Sequence, residues 1–257
     1  MVETLGMPGI VTDAFLGGRL LLDQPAKGHR SGTDAVLLAA AAPADFSGLA
    51  LDVGAGVGAA GLALAVLRPG ARIGLVENDS FIAGLARGNL TKNGLAERGF
   101  VIEADVLSPP SRRGAGLCDE SAALVLTNPP FLDPGRARLS PEPQKRRAHA
   151  MAEQGPAALA AWIAASLALV EPGGVFLLIH RPDALPDIFT ALAGRIGGMT
   201  VLPVYARRGG RAIRILVRGK KGSRAPLAIA APLILHEGEA FSPAADAIHR
   251  GAAMIEW

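Results

Sequence analysis

Two apolar segments flank Gly17-Gly18 within residues 13–24, the pattern of a hairpin closed by a tight glycine turn. Ser31-Gly32-Thr33-Asp34 then precedes an apolar run that stops at Pro43, which predicts a helix opened by capping residues and ended before the proline. From there the pattern alternates. Strands are expected at 50–53, 72–76, 99–103 and 122–127, with helices running to about residue 67 and over 80–93. Residues 108–120 are rich in Pro, Gly, Ser and charge and predict a loop. A long polar stretch containing Pro134, Pro141 and Pro143 reaches about residue 150. A helix over 156–170 is expected to end at Pro172-Gly173-Gly174, followed by a strand at 175–180 and a helix at 184–196. Strands at 201–205 and 212–218 meet around Gly209-Gly210, and a short helix within 241–254 closes the chain. Such alternation with short links predicts an α/β fold, an open and mostly parallel sheet with helices on both faces. The final tight-turned pair makes one edge antiparallel. No repeat or linker divides the chain, so a hairpin extension over 1–30 and one domain over 31–257 are expected.

Composition changes this picture little. Half of the residues are hydrophobic and 19% are charged, and the only cysteine is Cys118, so neither an intramolecular disulfide nor a cysteine metal cluster can form. The first residues show no basic and apolar leader, and a cytoplasmic protein is expected. Charge adds more. The net charge is +3, but the basic residues gather in two places. One group is Arg136, Arg138, Lys145, Arg146 and Arg147; the other runs from Arg207 through Arg208, Arg211, Arg214, Arg218, Lys220 and Lys221 to Arg224 without an acid. Clusters of this kind suit a polyanion such as nucleic acid, or form a solvated face.

The first chemical signal is Leu51-Asp52-Val53-Gly54-Ala55-Gly56-Val57-Gly58. A buried strand meets a glycine-rich turn that opens a helix, and ligands of open α/β sheets lie at the carboxyl ends of strands. Glu77, ending the next strand, is placed to accept from both hydroxyls of a ribose. Asp105, after the third strand, can accept from an adenine amino group. Gly56-Val57-Gly58-Ala59-Ala60-Gly61 also matches the dinucleotide fingerprint, with Glu77 at the right distance. Its first glycine comes late, however, because the turn starts at Gly54. The Asp52 carboxylate suits a cationic sulfonium and amino group better than a pyrophosphate. A nicotinamide oxidoreductase stays open as an alternative.

The second signal is Asn128-Pro129-Pro130-Phe131 at a strand end. An exocyclic purine amine is a poor nucleophile because its lone pair is delocalised into the ring. Two acceptors on its hydrogens favour a pyramidal nitrogen with the lone pair aimed at a methyl donor. The Asn128 side-chain oxygen and the Pro129 carbonyl can be those acceptors. Two prolines stiffen the loop and offer no competing N–H, and Phe131 can stack on a planar substrate. The catalysis this implies is positioning rather than acid–base chemistry.

With these residues in view, the sequence resembles the class I methyltransferases carrying an Asn-Pro-Pro-(Tyr/Phe) motif. It is most similar to the bacterial family that methylates N6 of adenine 37 in a valine tRNA. Arg30-Ser31-Gly32-Thr33-Asp34 is similar to that family's Lys-Val-Gly-Thr-Asp, and the likeness extends over almost the whole chain. The resemblance implies a Rossmann-like sheet of seven strands with an antiparallel edge, and S-adenosylmethionine as cofactor. The cofactor would be held by Asp52, Gly54, Ala55, Gly56, Gly58, Glu77, Asn78, Asp105 and Val106, with Thr33 and Asp34 at its methionine end. Asn128, Pro129, Pro130 and Phe131 would hold the target nitrogen. Structured RNA, with tRNA foremost, is the implied partner, and Arg30, Arg136, Arg138, Lys145, Arg146, Arg147, Arg207, Arg208 and Arg211 are its expected contacts. The same motif serves enzymes acting on guanine N2 of rRNA and on a protein glutamine amide. The short segment before the glycine motif and the absence of a duplicated domain count against these two. A non-catalytic RNA-binding module is a further alternative. No His, Cys or Asp spacing suggests a metal, and Trp162 is assigned to the core. Aromatic residues make up only 4% of the chain, so few rings are on offer for stacking bases.

Overall fold

A computed structural model describes residues 9–27, 30–130 and 155–257. The hairpin comprises β1 (Ile10–Phe15) and β2 (Leu20–Pro25), paired antiparallel from Ile10↔Pro25 to Phe15↔Leu20. Its turn is a short 3-10 segment, Leu16–Gly18, rather than a two-residue loop. Helix α1 (Thr33–Ala40) follows; it opens within the Ser31–Asp34 segment as expected, but its N-cap is Gly32, without a side-chain cap. Then come β3 (Gly48–Val53), α2 (Ala59–Leu67), β4 (Ala71–Glu77), α3 (Ser80–Lys92) and β5 (Gly99–Glu103). The expected loop at 108–120 contains a short helix, α4 (Pro109–Gly114), which Ser108 caps and a first-turn proline favours. The chain continues through β6 (Ala122–Thr127), α5 (Gly155–Leu169), β7 (Val170–His180), α6 (Leu185–Leu192), β8 (Ile196–Tyr205) and β9 (Ala212–Lys221). Two-residue strands β10 (Ala228–Ile229), β11 (Leu233–Ile234), β12 (His236–Glu237) and β13 (Ala240–Phe241) lead into α7 (Pro243–His249).

The main sheet runs β10-β8-β9-β7-β6-β3-β4-β5, with β11 also on β8. Seven long strands thus form the sheet that the sequence predicts, and β10 and β11, which the sequence did not announce, extend it to nine. The antiparallel strand β9 is not outermost. It inserts between β7 and β8, and is antiparallel to both. β8 therefore points the same way as β7, and the turn after Tyr205 lies at the end of the sheet where β3, β4 and β6 also finish.

Apolar positions alternate between two cores, as a sheet covered on both faces requires. Leu124 and Leu126 of β6 join α1, α2 and the hairpin leucines Leu20 and Leu22. Val125 joins Trp162 and Ile163 of α5 and Ile188 of α6. The outer edge of the hairpin is closed by side chains instead of a strand. Asn89 of α3 is fully buried; its Oδ1 accepts from Asp23 N at 2.8 Å, and its Nδ2 donates to Asp23 O at 3.1 Å and Val57 O at 3.0 Å. One turn on, Asn93 accepts from Leu21 N at 2.8 Å and donates to Leu21 O at 2.7 Å. These amides satisfy backbone groups that an edge strand leaves open. Among the described residues no helix is long and apolar enough to cross a membrane.

Candidate active site

The end of β3 carries the glycine turn. Gly54 N and Ala55 N both donate to Val76 O, at 2.9 and 3.0 Å, which curls the loop over the end of β4. Gly54 has φ +74°, and a Cβ there would come within 2.7 Å of Trp162 Cζ2. Both its conformation and the close indole demand glycine. At Gly56 (φ +58°) a Cβ would meet nothing within 4 Å, so the turn faces open space.

Asp52 is 2% exposed, and its Oδ2 accepts from Gly61 N at 2.8 Å. It thereby caps the first turn of α2 from the adjacent strand. Gly61 lets α2 sit this close to the sheet, since a Cβ there would stand 2.5 Å from Leu75 Cδ2 and 3.2 Å from Asp52 Cβ. Burial pushes the Asp52 carboxyl up to about 7; the Gly61 hydrogen bond opposes the rise and the charge of Glu77 adds to it.

Glu77 is held by backbone donors on both oxygens. Oε2 accepts from Gly56 N at 3.0 Å, and Oε1 from Asn78 N and Asp79 N, each at 2.9 Å. The carboxylate is thus fixed between the glycine turn and the end of β4. Asp105 is half-buried beyond β5; its Oδ1 accepts from Leu107 N at 2.9 Å, and Val106 beside it is buried. Register places the ends of β3, β4 and β5 side by side, with Val53↔Val76 and Glu77↔Glu103. The glycine turn, Glu77 and Asp105 therefore lie along one end of the sheet. An open glycine turn, an anchored acid on the adjoining strand and a second acid one strand further fit a nucleoside cofactor.

Strand β6 adjoins β3 on the other side, with Val53↔Thr127. Asn128 follows at once. Its Oδ1 is buried and has no hydrogen-bond partner among the described residues. An orphaned buried carbonyl is costly unless a ligand satisfies it. Pro129 is buried and Pro130 exposed. Phe131, Arg136, Arg138, Lys145, Arg146 and Arg147 lie outside the described residues.

A brace joins the two motifs. Thr127 Oγ1 donates to Val53 O at 2.8 Å and accepts from Trp162 Nε1 at 2.9 Å, while the same indole covers Gly54. Core patterning had marked Trp162 as packing only; no sequence signal pointed to its hydrogen bond. Asn89, which reaches Val57 O in the glycine turn, was missed for the same reason.

The remaining expected residues are distributed as follows. Thr33 Oγ1 lies 3.2 Å from His249 Nε2, and Asp34 accepts from Arg214 Nε at 2.8 Å. Arg30 pairs with Asp13. Arg207, Arg208 and Arg211 are exposed on the turn between β8 and β9, at the same end of the sheet as Asn128. The basic run they begin does not form one surface, because β9 carries it to the opposite end. There Lys221 is tied to Glu120 and to Val170 O, and Arg218 lies over the Trp257 ring on the way. At the end of β7, His180 is buried, and burial pushes its imidazole below the usual value. No group of three or more His, Cys, Asp or Glu side chains among the described residues could hold a metal ion.

Residues 31–181 match the family model for the methyltransferase small domain. A tRNA1(Val) (adenine(37)-N6)-methyltransferase of Porphyromonas gingivalis is 32% identical over 181 residues, covering 69% of this chain and 68% of that protein. Among solved structures, a predicted O-methyltransferase from Agrobacterium tumefaciens superposes with a TM-score of 0.72 at 35% identity, covering 86% of this chain and 98% of that one. A 16S rRNA N2 methyltransferase of T. thermophilus, solved with AdoMet and guanosine, shares the fold at a TM-score of 0.57 and 22% identity, covering 85% of this chain and 52% of that one. Family match, sheet order and glycine turn agree: the chain belongs to the methyltransferase small domain family and is an S-adenosylmethionine-dependent methyltransferase.

Proposed function

We propose that this methyltransferase acts on the exocyclic N6 of an adenine in RNA, with tRNA as the substrate. The observation that carries the proposal is the Oδ1 of Asn128 beside the glycine turn, buried and without a hydrogen-bond partner among the described residues. An acceptor so placed wants an N–H from the substrate. Together with the Pro129 carbonyl it would take both hydrogens of an amine and turn the nitrogen lone pair out of conjugation. A hydroxyl acceptor has one proton and needs a base or a metal to remove it, which this pair of neutral oxygens does not supply.

S-adenosylmethionine supplies an electrophilic methyl group on a sulfonium. In this proposal Glu77 accepts from the ribose hydroxyls and Asp105 from the adenine amine. Gly54, Ala55, Gly56 and Gly58 let the backbone approach closely, and Asn78 and Val106 flank the adenosine. The first turn of α1, with Thr33 and Asp34, receives the methionine end, and Asp52 holds the turn in shape from below. Asn128 and Pro129 orient the amine, Pro130 stiffens the loop and Phe131 stacks on the base. Arg207, Arg208 and Arg211 contact RNA phosphates at the same end of the sheet. The name of the P. gingivalis relative supports adenine in tRNA as the acceptor.

The test is transfer of labelled methyl from S-adenosylmethionine to tRNA from cells lacking their own adenine-37 enzyme, with nucleosides separated by mass. N6-methyladenosine is the expected product. Label in N2-methylguanosine of rRNA, or in a protein glutamine, would replace the adenine assignment.

A further inference from the structure

A cleft of about 530 Å³ opens between the N-terminal hairpin, residues 30–32 and the first turn of α1. Its volume is within the range of about 300–1,000 Å³ usual for small-ligand sites. Phe15 and His249 are the rings in its lining, and Arg30, Asp13 and Thr33 its polar side chains with Ser31. Thr33 adjoins Asp34, which pairs with Arg214 at the start of β9. That start lies against the end of β7, one strand from Asn128. At its Thr33 rim the cleft therefore borders the end of the sheet that carries the transfer site, while its Phe15–Gly17 wall runs toward the far end of α2, where Leu16 and Leu67 both approach Gly251.

The lining is built, not incidental. Gln24, 1% exposed, donates to Asp13 Oδ2 and accepts from Ser31 N, both at 2.8 Å. Asp13 in turn holds Arg30 by Nη2, at 2.6 Å from Oδ1. The Arg30 side chain is 45% exposed, and its Nε and Nη1 have no partner among the described residues. The His249 ring is pinned at both nitrogens, by Ala245 O at 2.7 Å and Thr33 Oγ1 at 3.2 Å. It stacks on Phe241 at 4.2 Å between centroids, and Phe241 stacks on His236 at 4.9 Å. The hairpin that carries His236 and Phe241 accepts from Arg207 Nε through Gly238 O at 3.2 Å. An arginine-bearing turn, a column of three rings and a cleft edged by a guanidinium thus follow one another. Arginines for phosphates and fixed rings for bases are the means by which single-stranded RNA is held.

We propose that this cleft is a second nucleotide subsite. It takes an unpaired nucleotide of the RNA substrate, with the base against His249 and Phe15 and the phosphate at Arg30, while the methylated base occupies the site at Asn128. The inference rests on RNA being the substrate.

The test compares Arg30→Ala, His249→Ala and His249→Phe with the wild-type protein, and uses Lys220→Ala at the far end of the sheet as control. RNA affinity is read by anisotropy of a labelled tRNA transcript, methyl transfer by KM and kcat, and cofactor affinity by calorimetry. Arg30→Ala and His249→Ala should each raise the RNA Kd and KM about 10-fold, the scale of one lost stacking or phosphate contact. Cofactor affinity should stay put in Arg30→Ala, His249→Phe should recover most of the loss in RNA affinity, and Lys220→Ala should change nothing. Should His249→Ala melt early, the exposed Arg30 carries the test. Unchanged RNA Kd and KM in both alanine variants of a protein that methylates RNA would overturn the subsite alone. A wild-type protein that neither binds nor methylates RNA would overturn the substrate assignment, and the subsite with it.

Discussion

The Trp162 indole donates to the Thr127 hydroxyl at 2.9 Å while its six-membered ring covers Gly54, so one side chain spans the glycine turn and the strand that presents Asn128. Trp162→Phe keeps the apolar cover and removes the donor. A buried hydrogen bond lost this way costs about 1–3 kcal/mol. If part of that is felt at Asn128, kcat should fall about 10-fold with cofactor affinity little changed. Steady-state kinetics beside cofactor titration distinguish this from general destabilisation, which would lower both.

Asn128→Ala should lower kcat by about 100-fold or more, the scale of losing a preorganised polar group at a reacting centre. Cofactor affinity, measured by calorimetry, should stay within about three-fold, because the Asn128 Oδ1 has no partner in the glycine turn or elsewhere among the described residues. Comparable losses in both would place Asn128 in the cofactor site instead.

Glu77→Gln should do the reverse. The carboxylate receives N–H groups from Gly56, Asn78 and Asp79, and an amide sets its own NH2 against one of them. Loss of a charge-assisted contact should weaken S-adenosylmethionine binding about 10-fold or more. The kcat at saturating cofactor should be affected much less. Gly54→Ala should be harsher, since the new Cβ meets Trp162 at 2.7 Å in a left-handed conformation; a lower melting temperature is the readout.

Asp52 gives a dependence on pH. Burial raises its carboxyl from 3.8 in the unfolded chain to about 7. Between these values the native state holds a proton that the unfolded chain has released. The contribution is therefore fully present below about pH 4 and is lost as pH rises through about 7. Asp52→Asn cannot titrate. The melting temperature of the wild type, relative to this variant, should drop between pH 5 and pH 8 in the absence of cofactor. A constant difference would mean that Asp52 is ionised throughout.

The central strands and helices were legible because buried parallel strands read as apolar runs bounded by glycine, proline and caps. β5 and β6 match their expected spans, 99–103 and 122–127, and β3 and β4 differ by two residues at most. Periodicity was silent on β10 to β13, two residues each, whose pairing with β8 or with one another is set by tertiary packing. Helix α6 ends at Leu192, four residues short of its expected end, because Gly194 takes φ +72° and starts the turn into β8. At the site, the glycine turn, Glu77 and Asn128 carry local signals, and the fold brings them to one end of the sheet. Charge density alone could not show that β9 divides the basic run between two ends. Nor could any local pattern announce the indole of Trp162 or the amide of Asn89, whose partners lie 35 and 66 or 32 residues away.

That Asn89 amide makes the N-terminal hairpin something other than a detachable handle. One carboxamide is shared between Asp23 and the carbonyl of Val57. A version of this chain starting after Pro25 would strip Asn89 of both Asp23 partners and open its contact with Val57, in the glycine turn, to water. Such a truncation would also remove the buried Leu16, Leu20 and Leu22 from the core, so it should lower the melting temperature as well as weaken S-adenosylmethionine binding. A tag joined ahead of β1 leaves this arrangement intact.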